Sequence, residues 1–314
     1  MDEGCRATQA PRGMRFVEAN GIRFAVREAA GAGERGLALC LHGFPESSHS
    51  WRHLLPVLAE LGFTAWAPDL RGYGASDKPP RVRDYAIEVL IDDVAGLVAA
   101  AGAERATLIA HDWGGLVAWF VAMRRPELVE RLVVMNLPHP ACLARELRHG
   151  HQLLGSWYVA AFQVPGLAER LLSEDGYRRI DNAFLSTAVY PDRFGPDDLA
   201  AYREAAAQPG ALTAMLSYYR AFVLGGGGRR QAKLGYPRVE APTLMIWGEH
   251  DTALGRATTI GTAEHVRDLT LRYVNASHWV QQDAPEVVEA MVRAWLAGER
   301  VPEEWELGVT AKPR

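Results

Sequence analysis

The pattern of apolar and polar side chains changes character along the chain. Near the N-terminus Ile22, Phe24 and Val26 alternate with Arg23, Ala25 and Arg27, the period-two signature of a half-exposed strand. Phe16-Val17 and then Asn20-Gly21 precede it. Asn-Gly between two such runs predicts a hairpin, because a type I′ turn requires positive φ at both central positions. Six short apolar runs follow at wide intervals, at 37–41, 64–67, 107–110, 132–135, 244–247 and 269–274. Each has strand length and reads as buried on both faces, as in a parallel sheet. Helical periodicity fills most of the gaps. Ile87, Leu90, Ile91, Val94, Leu97, Val98 and Ala101 form one stripe closed by Gly102, and 286–296 forms another between Pro285 and Gly298. The alternation predicts an α/β protein, a mostly parallel sheet with helices on both faces.

Between Met135 and Leu244 the alternation stops for about a hundred residues. Helical segments are expected there at 153–162, 167–172, 198–207 and 212–224, with the four glycines Gly225 to Gly228 as a flexible exit. A helical insertion between two strands of such a sheet is a natural cap. The expected organisation is a core of 15–138 and 235–300, a cap of 139–234, a disordered leader at 1–14 and a loose charged tail at 301–314. Met14 is an alternative start.

The net charge is −4, from 34 lysines and arginines against 38 acidic residues. That balance argues against a nucleic-acid-binding surface. Three distant cysteines, Cys5, Cys40 and Cys142, form no CxxC pair and no disulfide framework, which suits a cytoplasmic setting. The longest apolar run, Trp113 to Met123, has eleven residues, short of the roughly 20 that cross a bilayer. The polar N-terminal residues lack the apolar core of a signal peptide.

The sharpest local feature is Leu108-Ile109-Ala110-His111-Asp112-Trp113-Gly114-Gly115-Leu116. A strand ends, Asp112 sits between small neighbours at Ala110 and Gly114, and a buried helix begins. This is the pattern of a nucleophile elbow, with Asp where Ser is commoner. On this window alone Asp112 reads equally well as a helix cap. Two later strand ends decide between the readings. Gly248-Glu249-His250-Asp251 follows the strand at 244–247, and Asn275-Ala276-Ser277-His278-Trp279 follows that at 269–274. Asp112, Asp251 and His278 thus occur in the order nucleophile, acid, base at the ends of strands, where open α/β sheets build their sites. Glu249 is the rival acid; Asp251 lies further into the loop. Leu41-His42-Gly43-Phe44-Pro45-Glu46 follows the first parallel strand, and the N–H groups of Phe44 and Trp113 are the expected oxyanion-hole donors.

These segments, together with Asp69-Leu70-Arg71-Gly72-Tyr73-Gly74-Ala75-Ser76-Asp77, resemble the α/β-hydrolase superfamily over roughly residues 14–300, and within it the epoxide hydrolase family with an Asp nucleophile. Asn136-Leu137-Pro138-His139-Pro140 also resembles this branch. The resemblance implies an α/β-hydrolase fold and two cap tyrosines that polarise an epoxide oxygen. Tyr158, within Ser156 to Pro165, matches the first; Tyr219, within Leu216-Ser217-Tyr218-Tyr219-Arg220, matches the second, with the adjacent Tyr218 left open. The substrate implied is a lipophilic epoxide, bound by Phe44, Trp113, Tyr158, Tyr219 and Trp279 and converted with water to a vicinal diol through an ester on Asp112. No cofactor, metal or nucleic acid is implied, and a homodimer is left open. A haloalkane dehalogenase shares the Asp-Trp-Gly elbow. It often carries an Asn directly after His-Gly, where this chain has Phe44. A non-catalytic ligand-binding protein of the same fold is the alternative from another class, and the intact nucleophile, acid and base argue against it.

Other features carry less. His49 and His53 are four apart without the glutamate of a zinc-protease motif and read as a surface helix face. Asp69 and Arg71 are expected to brace their loop as an ion pair. The four glycines precede no Gly-Lys-Ser/Thr, and no dinucleotide fingerprint follows a strand.

Overall fold

A computed structural model describes residues 10–148 and 157–308. Among the described residues, eight strands form one sheet: β1 (Met14–Ala19), β2 (Ile22–Ala30), β3 (Leu37–Leu41), β4 (Thr64–Pro68), β5 (Ala106–His111), β6 (Val129–Met135), β7 (Thr243–Gly248) and β8 (Leu269–Val274). Their order is β1-β2-β4-β3-β5-β6-β7-β8. β1 and β2 form the expected hairpin, with φ of 46° at Asn20 and 70° at Gly21. β2 also runs antiparallel to β4, and every later neighbour is parallel. The side-chain period of two divides the central strands between two cores. Leu39, Leu41, Leu108, Ala110, Leu132 and Val134 face α2 (Ile87–Ala100) and α3 (Asp112–Arg124), after α1 (Leu54–Glu60) in the chain. Ala38, Cys40, Ile109, Val133 and Met135 face the other way, toward α1 and the C-terminal helix 285–296.

An all-helical region is inserted between β6 and β7. It contains α4 (Pro140–Glu146), α5 (Trp157–Phe162), α6 (Leu167–Leu185), α7 (Pro196–Ala207), α8 (Ala211–Phe222) and α9 (Gly227–Leu234). The sequence pattern missed α4 and ended α6 too early: the helix breaks at 174–177, where Asp175, Gly176 and Tyr177 take positive φ, and then resumes. Residues 153–156 of the expected first cap helix, and most of the expected leader, lie outside the described residues. The four glycines are not a flexible exit. They make a tight turn into α9, in which a Cβ on Gly225 would lie 2.5 Å from the Ala221 carbonyl oxygen and one on Gly228 2.9 Å from the Phe222 ring. Up to residue 308 the tail is not loose either. Arg272 donates to the Val301 carbonyl oxygen at 2.8 Å, and Glu304 accepts the Asn275 N–H at 2.7 Å. Residues 309–314 lie outside the described residues. No described helix is long and apolar enough to cross a membrane.

Two smaller expectations are corrected. His49 and His53 share no helix face, because α1 starts only at Leu54; His49 lies on a preceding 3₁₀ turn and bonds Asp198 of the cap through Nε2 at 2.7 Å. Asp69 and Arg71 do not pair with each other. Arg71 forks onto buried Asp93, and Asp69 accepts the N–H groups of Ser48 and Ala75.

Candidate active site

The turn from β5 into α3 is tight. Asp112 has φ of 45°, a region that costs a non-glycine residue of order 1–3 kcal/mol. It is held there by packing of the loop after β3 onto the first turn of α3. The Gly114 N–H donates to the His42 carbonyl oxygen at 3.0 Å, and a Cβ on Gly114 would lie 2.1 Å from the Leu41 carbonyl oxygen. The same loop brings the Phe44 N–H to Asp112 Oδ2 at 2.8 Å. One carboxylate oxygen is therefore anchored by a main-chain donor, and Oδ1 remains on the side of His278.

Asp251 and His278 come together as the strand-end argument requires. His278 Nδ1 lies 2.8 Å from Asp251 Oδ2, and Nε2 lies 3.9 Å from Asp112 Oδ1. Asp251 Oδ1 accepts the N–H groups of Ala253 and Leu254, both at 2.8 Å. Glu249 points elsewhere and pairs with Arg256. Burial alone would lower the His278 pKa. The Asp251 charge and hydrogen bond, with Asp112 and Glu46 behind them, outweigh burial and raise it to about 9.

Two cap tyrosines complete the group. Tyr158 on α5 and Tyr219 on α8 have ring centroids 6.4 Å apart. Both line, with Asp112, a cavity of about 370 Å³ that also includes Phe44, His278 and Trp279. A second cavity, of about 620 Å³, meets the first at Asp112, Tyr158 and Tyr219 and is walled by Trp113 and by leucines such as Leu116, Leu143 and Leu147. All five residues expected to bind substrate therefore line one cavity or the other. Burial, and then the Asp112 charge, push both phenols well above the usual tyrosine range, so both stay protonated as donors. Tyr218 is turned away: its hydroxyl donates to the Arg71 carbonyl oxygen at 2.8 Å.

Three supporting residues had no assigned role in the sequence reading. Asn136, with φ of 45°, donates to Asp251 Oδ2 at 2.7 Å and accepts the Gly248 N–H at 3.0 Å, so it pins the acid loop to the end of β6. Glu46 and His111 are both fully buried, with His111 Nδ1 2.8 Å from Glu46 Oε2. His111 Nε2 lies 2.8 Å from the His278 carbonyl oxygen. A carbonyl only accepts, so Nε2 carries a proton. Burial would raise the Glu46 pKa, but His111 and the Gly43 N–H hold it below the usual range. Asn136 and Glu46 both lie in segments that carried the family resemblance, and that was the only available signal. Among the described residues no group of three or more His, Cys, Asp or Glu side chains forms a metal-binding arrangement.

The model of the α/β-hydrolase fold matches residues 38–285. AB hydrolase superfamily protein YfhM of Bacillus subtilis (strain 168) is 39% identical over 283 residues, 90% of this chain and 96% of its own length. Epoxide hydrolase 4 of Mus musculus is 35% identical, over 90% of this chain and 79% of its own. A crystal structure of an epoxide hydrolase from Bacillus megaterium superposes with a TM-score of 0.81 at 29% identity, covering 90% of this chain and all of that one. The chain belongs to the α/β-hydrolase superfamily and, within it, to the epoxide hydrolase family.

Proposed function

We propose that the protein hydrolyses a lipophilic epoxide to a vicinal diol in two steps, with Asp112 as nucleophile. Asp112 Oδ1 attacks an epoxide carbon, whose bond to the ring oxygen breaks. The oxygen takes up negative charge between the Tyr158 and Tyr219 hydroxyls and receives a phenolic proton, which leaves a hydroxyalkyl ester on Asp112. His278, held by Asp251, then removes a proton from water, which attacks the ester carbonyl. The carbonyl oxygen is the one already held by the Phe44 N–H, with Trp113 as second donor. Once the ester forms, the proton that His278 carries at rest passes to the tyrosinate through solvent; collapse of the tetrahedral intermediate then releases the diol, and the proton taken from water restores His278 to its resting state. Two apolar cavities meeting at the reacting carboxylate suit an epoxide with a substituent on each side. A cytoplasmic setting belongs to the same proposal and accords with Cys40 and Cys142, which are buried free thiols.

The observation that carries this reading is the convergence of a strained carboxylate, an Asp-paired imidazole and two phenols on one apolar cavity. A halide leaves without a proton, so the two phenols favour the epoxide over a haloalkane. The test is His278→Gln, which should be alkylated by epoxide and fail to turn over. Intact-mass and peptide spectra should place a stable adduct on Asp112. An inactive variant that stays unmodified would remove Asp112 as the nucleophile.

A further inference from the structure

The loop that carries His278 is also a loop on which the cap rests. It leaves β8 and enters the short helix Val280–Asp283. Asp283 ends that helix and is completely buried. Its carboxylate accepts three main-chain N–H groups. Ser277, the residue before His278, donates to Oδ2 at 2.8 Å, and Val189 donates to the same oxygen at 3.0 Å. Tyr190 donates to Oδ1 at 2.8 Å. Val189 and Tyr190 lie in the cap, just beyond α6, whose C-terminal end and exit supply Ala183 and Thr187 to the wall of the first cavity. A further bond closes the same seam, with Asn275 Nδ2 donating to the Tyr190 hydroxyl at 2.8 Å.

A carboxylate taken out of water is costly unless its lone pairs are filled, and here charge-assisted bonds from the main chain fill them. Two of the donors belong to the cap and one to the base loop, so this one carboxylate bridges them, beside the Asn275 bond and the Trp279 indole N–H, which donates to Thr187 Oγ1 at 2.9 Å. Asp283 lines neither substrate cavity, and its bonds go to neither Asp112 nor the phenols. We propose that Asp283 is a positioning residue for the hydrolytic step: by holding Ser277 against the cap segment at 189–190, it fixes where the His278 ring stands over Asp112. The inference rests on the roles of Asp112 and His278 proposed above. It separates the two half-reactions. Alkylation uses groups carried by α3, α5 and α8, whereas hydrolysis needs Nε2 in register with a water and an ester, and a misplacement of about 1 Å can cost on the order of 10²-fold.

Asp283→Asn keeps the shape but offers one acceptor oxygen and sets an NH₂ against a main-chain N–H. Stopped-flow single turnovers, with tryptophan fluorescence following ester formation and decay, resolve the steps. We expect alkylation within about twofold of wild type and hydrolysis slowed roughly tenfold or more. Ester then accumulates on Asp112 in the steady state, and kcat and KM fall together while kcat/KM holds. Tyr190→Phe, which removes one bond of the seam and leaves no buried charge unmet, should shift the ratio of the two rates in the same direction by less. Equal slowing of both steps in Asp283→Asn, or no slowing of hydrolysis, overturns the proposal. So does an Asp283→Asn that fails to fold beside a Tyr190→Phe with the wild-type ratio, since Asp283 is then only structural. Absence of any ester in wild type would remove the underlying reading, and this inference with it.

Discussion

Neutralising Asp112 should lower the pKa of His278, and the structure gives the size of the effect. In the resting enzyme the Asp112 carboxylate stands 3.9 Å from His278 Nε2 and helps to hold the imidazole pKa at about 9. At neutral pH the proposed base is therefore protonated and cannot take a proton from water. Formation of the proposed ester would remove the Asp112 charge. Two unit charges 3.9 Å apart interact by roughly 4 kcal/mol at an effective dielectric of about 20 and by about 1 kcal/mol in bulk water, or about one to three pH units. The proposed hydrolytic step requires neutral His278, so its rate should rise with pH. Its midpoint should lie about one to three pH units below 9. Resting His278 should titrate near 9 by NMR of its ring protons, and Asp112→Asn should move that titration down by a similar amount. The rate of ester decay, measured in single turnovers across pH, gives the second midpoint. If Asp112→Asn left the titration in place, or ester decay had its midpoint at or above the resting value, the coupling through Asp112 would be refuted.

The two phenols should behave differently from their neighbour. Tyr158→Phe and Tyr219→Phe should each slow alkylation by up to roughly 10²-fold, and the double variant should nearly abolish it. Tyr218→Phe, whose hydroxyl serves the Arg71 carbonyl oxygen, should leave alkylation close to wild type. Stopped-flow quenching of tryptophan fluorescence measures all four variants, and a crippled Tyr218→Phe would reassign the second acid. Gly114→Ala should destabilise the fold by roughly 2–3 kcal/mol or prevent folding, because its Cβ meets the Leu41 carbonyl oxygen at 2.1 Å. Urea unfolding tests it, and an unchanged midpoint would show that the turn can widen.

The framework was legible because its signals are local. Asn20-Gly21 specifies its own turn, and the runs that became β3 to β7 are largely apolar at successive positions because both sheet faces are covered; the run at 269–274, expected to be buried on both faces, is instead the edge strand β8, fully buried only at Val274. The three central site residues were legible through topology, since each stands just past a strand end. What escaped depends on contacts that adjacency does not encode. Tyr218 and Tyr219 are neighbours on one helix, where successive side chains point about 100° apart. Only packing tells which one faces Asp112. Asn136 meets Asp251 across 115 positions of sequence. The glycine run was misread because close approach and flexibility both call for a missing side chain. Only the distance from Gly225 to the Ala221 carbonyl oxygen separates the two causes.

The bonds to Asp283 leave an asymmetric trace in sequence space. The acceptor is a side chain, so one residue type is demanded at 283. Its partners are amide groups, which nineteen of the twenty amino acids supply equally. Position 189 can therefore diverge without loosening these bonds, with proline barred because it has no N–H to give, whereas Tyr190 also offers its hydroxyl to Asn275. Grafting a foreign cap onto this sheet would then need a backbone of the same course at that joint and few matching side chains, the Tyr190 and Thr187 hydroxyls among them. Substrate preference could be exchanged while the base keeps its alignment, and a survey of co-varying residue pairs would pass over the connection.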